Sequence, residues 1–160
     1  MKRNIGLLIL LTVLFGCNTA TQKAQQPEKP EKPIKQPIEG TWKLLSGTLI
    51  EKGDTVTTDY TKGVEFIKII NGTHFSFLQH DLTQGKDSAA VFGAGGGTYT
   101  LKDGVYTENL DYCSAREWEG NSFEFEVQVD GDTLIQQGVE KIEEQGIDRM
   151  NIERYIRVKN

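Results

Sequence analysis

The chain has 160 residues, room for one domain and a leader, with 37% apolar and 26% charged residues and 17 glycines that signal many turns. Its formal charge is −5, and residues 38–160 alone hold 12 Lys+Arg against 21 Asp+Glu, a formal −9. Such a field repels polyphosphate and anionic lipid, which argues against a nucleic-acid partner and against membrane anchoring by charge.

Taken in chain order, Lys2 and Arg3 precede an apolar stretch over residues 5–15, broken only by Gly6 and Thr12. At 1.5 Å per residue that stretch reaches about 16 Å, half the roughly 30 Å hydrocarbon core, so it reads as the centre of a signal peptide and not as a span. Leu14-Phe15-Gly16-Cys17 resembles the lipobox of bacterial lipoproteins, an aliphatic residue three before a cysteine with a small residue just ahead of it. Phe15 departs from the usual occupant of its position. The resemblance implies cleavage after Gly16, diacylglycerol on the Cys17 thiol and acylation of the new amino terminus. The expected partner is then a membrane reached through lipid. The expected location is the cell envelope, on the outer membrane of a Gram-negative bacterium, at either its periplasmic or its surface face. Each buried methylene contributes about 0.8 kcal/mol, so several chains hold where one holds marginally.

Residues 18–37 contain all four prolines and no apolar periodicity, the composition of an extended, semi-rigid spacer. The expected organisation is a signal peptide over 1–16, a lipidated cysteine and linker over 17–37, and a domain over 38–160. With Cys17 lipidated, Cys113 has no partner for a disulfide. It reads as a small buried hydrophobe, with a reactive thiol as the other reading.

From residue 38 the sequence alternates. The clearest strand is 123–129, with Phe123, Phe125, Val127 and Val129 on one face and Glu124, Glu126 and Gln128 on the other. It leads through Asp130-Gly131-Asp132 into 133–139. Asn71-Gly72 separates 64–70 from 73–78, and Asp103-Gly104 separates 97–101 from 105–112. Further strands are predicted at 40–51, 55–60 and 151–158, and residues 141–146 form a loop or one helical turn. Consecutive hairpins without a parallel crossover predict an all-β, antiparallel up-and-down barrel of about eight strands, since closure removes the exposed edges. An open sandwich is the competing arrangement.

Gly40-Thr41-Trp42 looks like the Gly-x-Trp opening of lipocalins and related calycin barrels. The last strand, from Ile152 through Tyr155 to Val158, resembles the closing strand of bacterial lipocalin-like domains. Residues 68–75, 95–101 and 106–108 resemble a subset of these domains common in uncharacterised lipoproteins of gut-type Bacteroidetes. The chain is shorter than typical lipocalins and lacks their usual disulfide. The resemblance implies that Trp42 packs beneath a late arginine to plug one end of the barrel, with Arg157 the matching position and Arg154 the alternative.

Candidate ligand-binding residues are Tyr99, Tyr106, Glu108, Tyr112 and His74. Alternation puts Tyr106, Glu108, Leu110 and Tyr112 on one face, and Tyr99 on one face of the preceding strand. If that face is interior, Glu108 is a carboxylate among aromatics with a raised pKa; if exterior, it joins the surface acids. His74 shares a face with Ser76 and Leu78, either orienting a ligand or lying solvated at the surface. His74 and His80 stand about 20 Å apart along a strand, so no metal site is expected, and no cofactor. The glycine run over 93–97 has no following helix and no Lys-Ser/Thr pair, and reads as a loop or bulge continuous with a mobile rim over 84–90, not a phosphate cradle. No nucleophile pattern is present, and catalysis would require Glu108 and His74 to converge. Two functions compete: a tethered barrel that binds a small apolar or amphipathic molecule, and a packed barrel whose loops or acidic surface contact another envelope protein or a glycan, which predicts a solid core and an exposed apolar or aromatic patch such as one around Trp118.

Overall fold

The computed structural model describes residues 38–86, 88 and 90–159. The leader, Cys17 and the spacer lie outside the described residues. Among the described residues nine strands run β1 (Gly40–Glu51), β2 (Asp54–Asp59), β3 (Val64–Ile70), β4 (His74–Asp81), β5 (Phe92–Lys102), β6 (Val105–Cys113), β7 (Ser122–Asp130), β8 (Thr133–Ile142) and β9 (Ile147–Arg157). Single 3₁₀ turns at Arg116–Trp118 and Glu143–Gln145 sit in two of the connections.

Every pairing is antiparallel, and from β3 to β9 each strand pairs with the next. β9 then returns to β1, from Trp42↔Arg157 to Ile50↔Met150, and closes the sheet. β2 and β3 both lie on the other side of β1, one after the other: Ser46 to Glu51 face β2, and Gly40 to Lys43 face β3. They behave as one strand interrupted at 60–63, so the barrel has eight staves. The open sandwich does not occur.

The turns follow local chemistry. At Asp103-Gly104 both residues have positive φ (53° and 84°), the two-residue turn that Asp-Gly favours. Lys52-Gly53 makes an equivalent turn at 52° and 90°, without an Asn or Asp to announce it. Asn71 builds its turn through its side chain, whose Oδ1 accepts from the backbone N–H groups of Thr73 and His74 at 2.9 and 2.8 Å.

The glycine run is strand, not rim: β5 begins at Phe92 and pairs through all of it. A Cβ on Gly97 would strike the Asn109 carbonyl, and one on Gly95 would strike the Phe77 ring, so close approach by neighbours fixes these positions. The bulge lies between Gly96 and Gly97, where Gly97 pairs with Leu110 but Gly96 pairs with Tyr112. Asp111 is the extra residue, and beyond it the alternation of β6 reverses.

The tight turns at 71–73, 103–104 and 131–132 gather at one end of the barrel, which is sealed. Trp42, Leu44, Ile70, Phe75, Tyr99, Tyr106, Leu134 and Tyr155 are buried there, with Ile38 beneath them. The Trp42 indole N–H donates to the Ile38 carbonyl at 2.7 Å, and the Arg157 guanidinium lies 3.9 Å from the Trp42 ring centroid. Arg157 also donates to the Glu39 carbonyl at 2.7 Å. A Cβ on Gly40 would collide with that guanidinium, which accounts for a glycine two before the tryptophan. Arg154 is exposed and takes no part. The described residues of the longer connections, 82–86 with 88 and 90–91, 114–121 and 143–146, lie at the other end.

Candidate functional site

Above the sealed plug the inward-facing positions turn polar. Lys68, between Phe66 and Ile70 on β3, is 3% exposed. Its ammonium donates to Glu108 Oε1 at 2.6 Å and to Gln136 Oε1 at 3.0 Å, and Glu153 Oε2 lies 3.9 Å away. It sits 5.6–5.9 Å from the ring centroids of Tyr155, Phe75 and Tyr106, within cation–π range of all three. Four strands thus deliver one layer: β3, β6, β8 and β9.

Burial pushes the Glu108 carboxyl up, and the Lys68 charge and hydrogen bond oppose that rise. Burial likewise raises the Tyr155 phenol, with Glu153 beside it adding to the effect. Tyr155 donates to Glu153 Oε2 at 2.7 Å. The Tyr106 hydroxyl, next to Glu108 and fully buried, makes no hydrogen bond of good geometry. It is raised strongly, first by burial and then by the Glu108 charge.

This layer floors a pocket of about 320 Å³ toward the end with the longer loops. Its size is at the small end of ligand sites, which run about 300–1,000 Å³. Phe66, Phe77, Leu110 and Phe123 form apolar walls, with Tyr60 and Leu49 on the β1–β2 side. Phe66 stacks on Phe77 at 5.7 Å and meets Tyr60 edge-on at 5.9 Å. At the lip, Trp118 packs on Phe123 at 5.8 Å and carries the Arg149 guanidinium 5.2 Å from its ring centroid. Arg149 is paired with Glu140 through Nε and Nη2 at 2.8 and 2.7 Å, and Asn151 donates to the other Glu140 oxygen at 2.8 Å.

The sequence candidates divide. Tyr106 and Glu108 face inward and meet at the polar layer. Tyr99 is inside but belongs to the plug, packed 5.2 Å from Tyr106 with its hydroxyl donating to the Asn71 carbonyl at 2.7 Å. Tyr112, expected on the face of Tyr106 and Glu108, is instead 71% exposed, because the Asp111 bulge turns it outward. Cys113 takes the inward position and lines the pocket. His74 is exposed beside its turn, with Nδ1 2.7 Å from the Thr73 hydroxyl. Glu108 and His74 therefore lie on opposite faces of the wall and do not converge. Trp118 is half-buried over the pocket and is not the centre of an exposed patch. Among the described residues, no group of three or more His, Cys, Asp or Glu could hold a metal.

Lys68, Gln136, Glu140, Arg149, Asn151 and Glu153 escaped the sequence reading. For Lys68 and Gln136 the signal was present: each shares its strand face with apolar neighbours that point inward, Phe66 and Ile70 for one and Leu134 for the other.

The site and the strand order define a class: a closed eight-stranded antiparallel barrel of the lipocalin-like, calycin type, sealed at one end and pocketed at the other. A scan against models of protein families finds no match to this chain, and a search of curated proteins finds none either.

Proposed function

We propose that this protein is an envelope lipoprotein, tethered by lipid on Cys17, whose barrel binds a small apolar or amphipathic molecule outside the cytoplasm. The observation that carries the binding reading is the pocket itself: aromatic walls above a floor of paired polar groups. A barrel built only to contact a partner protein fills its interior with its own side chains. Here ring faces line open space, and unfilled apolar surface is the ordinary preparation for a ligand.

The test is native mass spectrometry of the full chain extracted from its membrane. An adduct of one molecule per chain, lost on denaturation and absent from a Phe66→Trp variant that fills the pocket, supports ligand binding. A bare mass after incubation with envelope lipid and metabolite extract returns the reading to an interaction module. The tether is tested separately, by labelling with radioactive fatty acid. Label on the wild type and none on Cys17→Ser is expected, and label retained on the variant would refute lipidation at Cys17.

A further inference from the structure

The charges inside the pocket do not balance. Three carboxylates line it, Glu108, Glu140 and Glu153, against two cations, Lys68 and Arg149. The cations are committed: Lys68 to Glu108 and Gln136, and Arg149 to Glu140 through two of its nitrogens. That leaves Glu153 with the weakest cationic partner of the three. Its contacts are the Tyr155 hydroxyl at 2.7 Å and the Lys68 ammonium at 3.9 Å, beyond hydrogen-bonding range. Its side chain is 16% exposed, and what it faces is the pocket. The aromatic wall of Tyr60, Phe66 and Phe77 stands around the same space. Below, the Tyr106 hydroxyl beside Glu108 makes no hydrogen bond of good geometry in the same layer.

A carboxylate beside ring faces, in a space partly withdrawn from water, is the environment that attracts an ammonium group: the charge pairs with the carboxylate and the ring quadrupoles add to the attraction. An anionic head would meet three carboxylates, and it would reach Lys68 only by displacing Glu108. We infer that the ligand is a small amphipathic amine, its ammonium beside Glu153 and its apolar body along the aromatic wall. The inference rests on the ligand-binding reading above and narrows it to a head group.

Three probes with one tail test it: octylamine, octanol and octanoate, titrated into the full chain below their aggregation limits and followed by calorimetry. Octylamine should bind about tenfold more tightly than octanol, and octanoate more weakly than either. In Glu153→Gln, which keeps an acceptor for Tyr155, the amine-over-alcohol ratio should fall to about one. Octanoate equal to or tighter than octylamine overturns the amine assignment and leaves ligand binding standing. An unchanged ratio in Glu153→Gln also overturns it, because the selectivity then arises elsewhere. Failure of all three probes to bind removes both readings together. The comparison of probes in the wild-type chain stands even if the variant does not fold.

Discussion

At the residue scale, the buried polar layer makes the sharpest demands. Losing one partner of a buried ion pair strands the other charge, at a cost of about 3–5 kcal/mol, whereas replacing both by apolar groups is often neutral. Lys68→Met should therefore lower the urea midpoint severely, and Lys68→Met combined with Glu108→Leu should recover most of the loss. Tyr106→Phe should change stability by less than about 1 kcal/mol, because the buried hydroxyl it removes makes no hydrogen bond of good geometry. Asp81 supplies a pH dependence. Its carboxylate accepts from the Gly85 backbone N–H, the Thr83 hydroxyl and the Val91 backbone N–H, which hold it well below the usual carboxylate range. A depressed folded-state pKa gives stability that is present above the unfolded value near 4 and lost as pH falls through and below it. Asp81→Asn should accordingly lose stability at pH 7, and the gap to wild type should narrow at pH 3 when both are unfolded in urea.

At the element scale, alternation identifies strands but not always their inner face. On β7 the simple rule works: Phe123 and Phe125 are buried, and Glu124 and Glu126, which alternate with them, are exposed. On β9 it inverts, because Arg149, Asn151, Glu153 and Tyr155 line the interior while Met150, Ile152 and Ile156 face outward. A strand that furnishes a polar pocket places its polar residues inward, so the pattern that reveals a core conceals a site. The bulge at Asp111 defeated the placement of Tyr112 for a related reason: one added residue reverses a face without changing composition. The strands and their hairpins were legible because each rests on local spacing, the Trp42–Arg157 contact came from the lipocalin resemblance, and alternation grouped Glu108 with Tyr106 without deciding which way that face turns. The pairing of Lys68 with Gln136 joins residues 68 positions apart, and no local pattern encodes it. Gly138 offers a test of strand contact. A Cβ there would strike the Glu124 carbonyl on β7, so Gly138→Ala must push the two strands apart. It should cost several times the roughly 1 kcal/mol of an ordinary Gly→Ala change at a positive-φ turn such as Gly104, measured by thermal melting of both variants.

At the scale of the whole molecule, the barrel wall is not equally supported around its circumference. The half of β1 from Ser46 to Glu51 has β9 on one side and only β2 on the other, while β2 pairs with β1 alone. The register of β1 against β9 shifts between Leu44 and Ser46, next to the point where β2 gives way to β3. Gly47, Leu49, Thr58 and Tyr60, all from this flap, form one side of the pocket. β2 pairs along one edge only, so its amides should exchange with solvent deuterium sooner than those of β9, which pairs along both. Compliance is thereby expected in the panel that β2 closes. On the proposed ligand-binding reading, a guest of greater girth would be accommodated by outward bending there, and tolerance for ligand width would be mechanically uncoupled from the plug around Trp42.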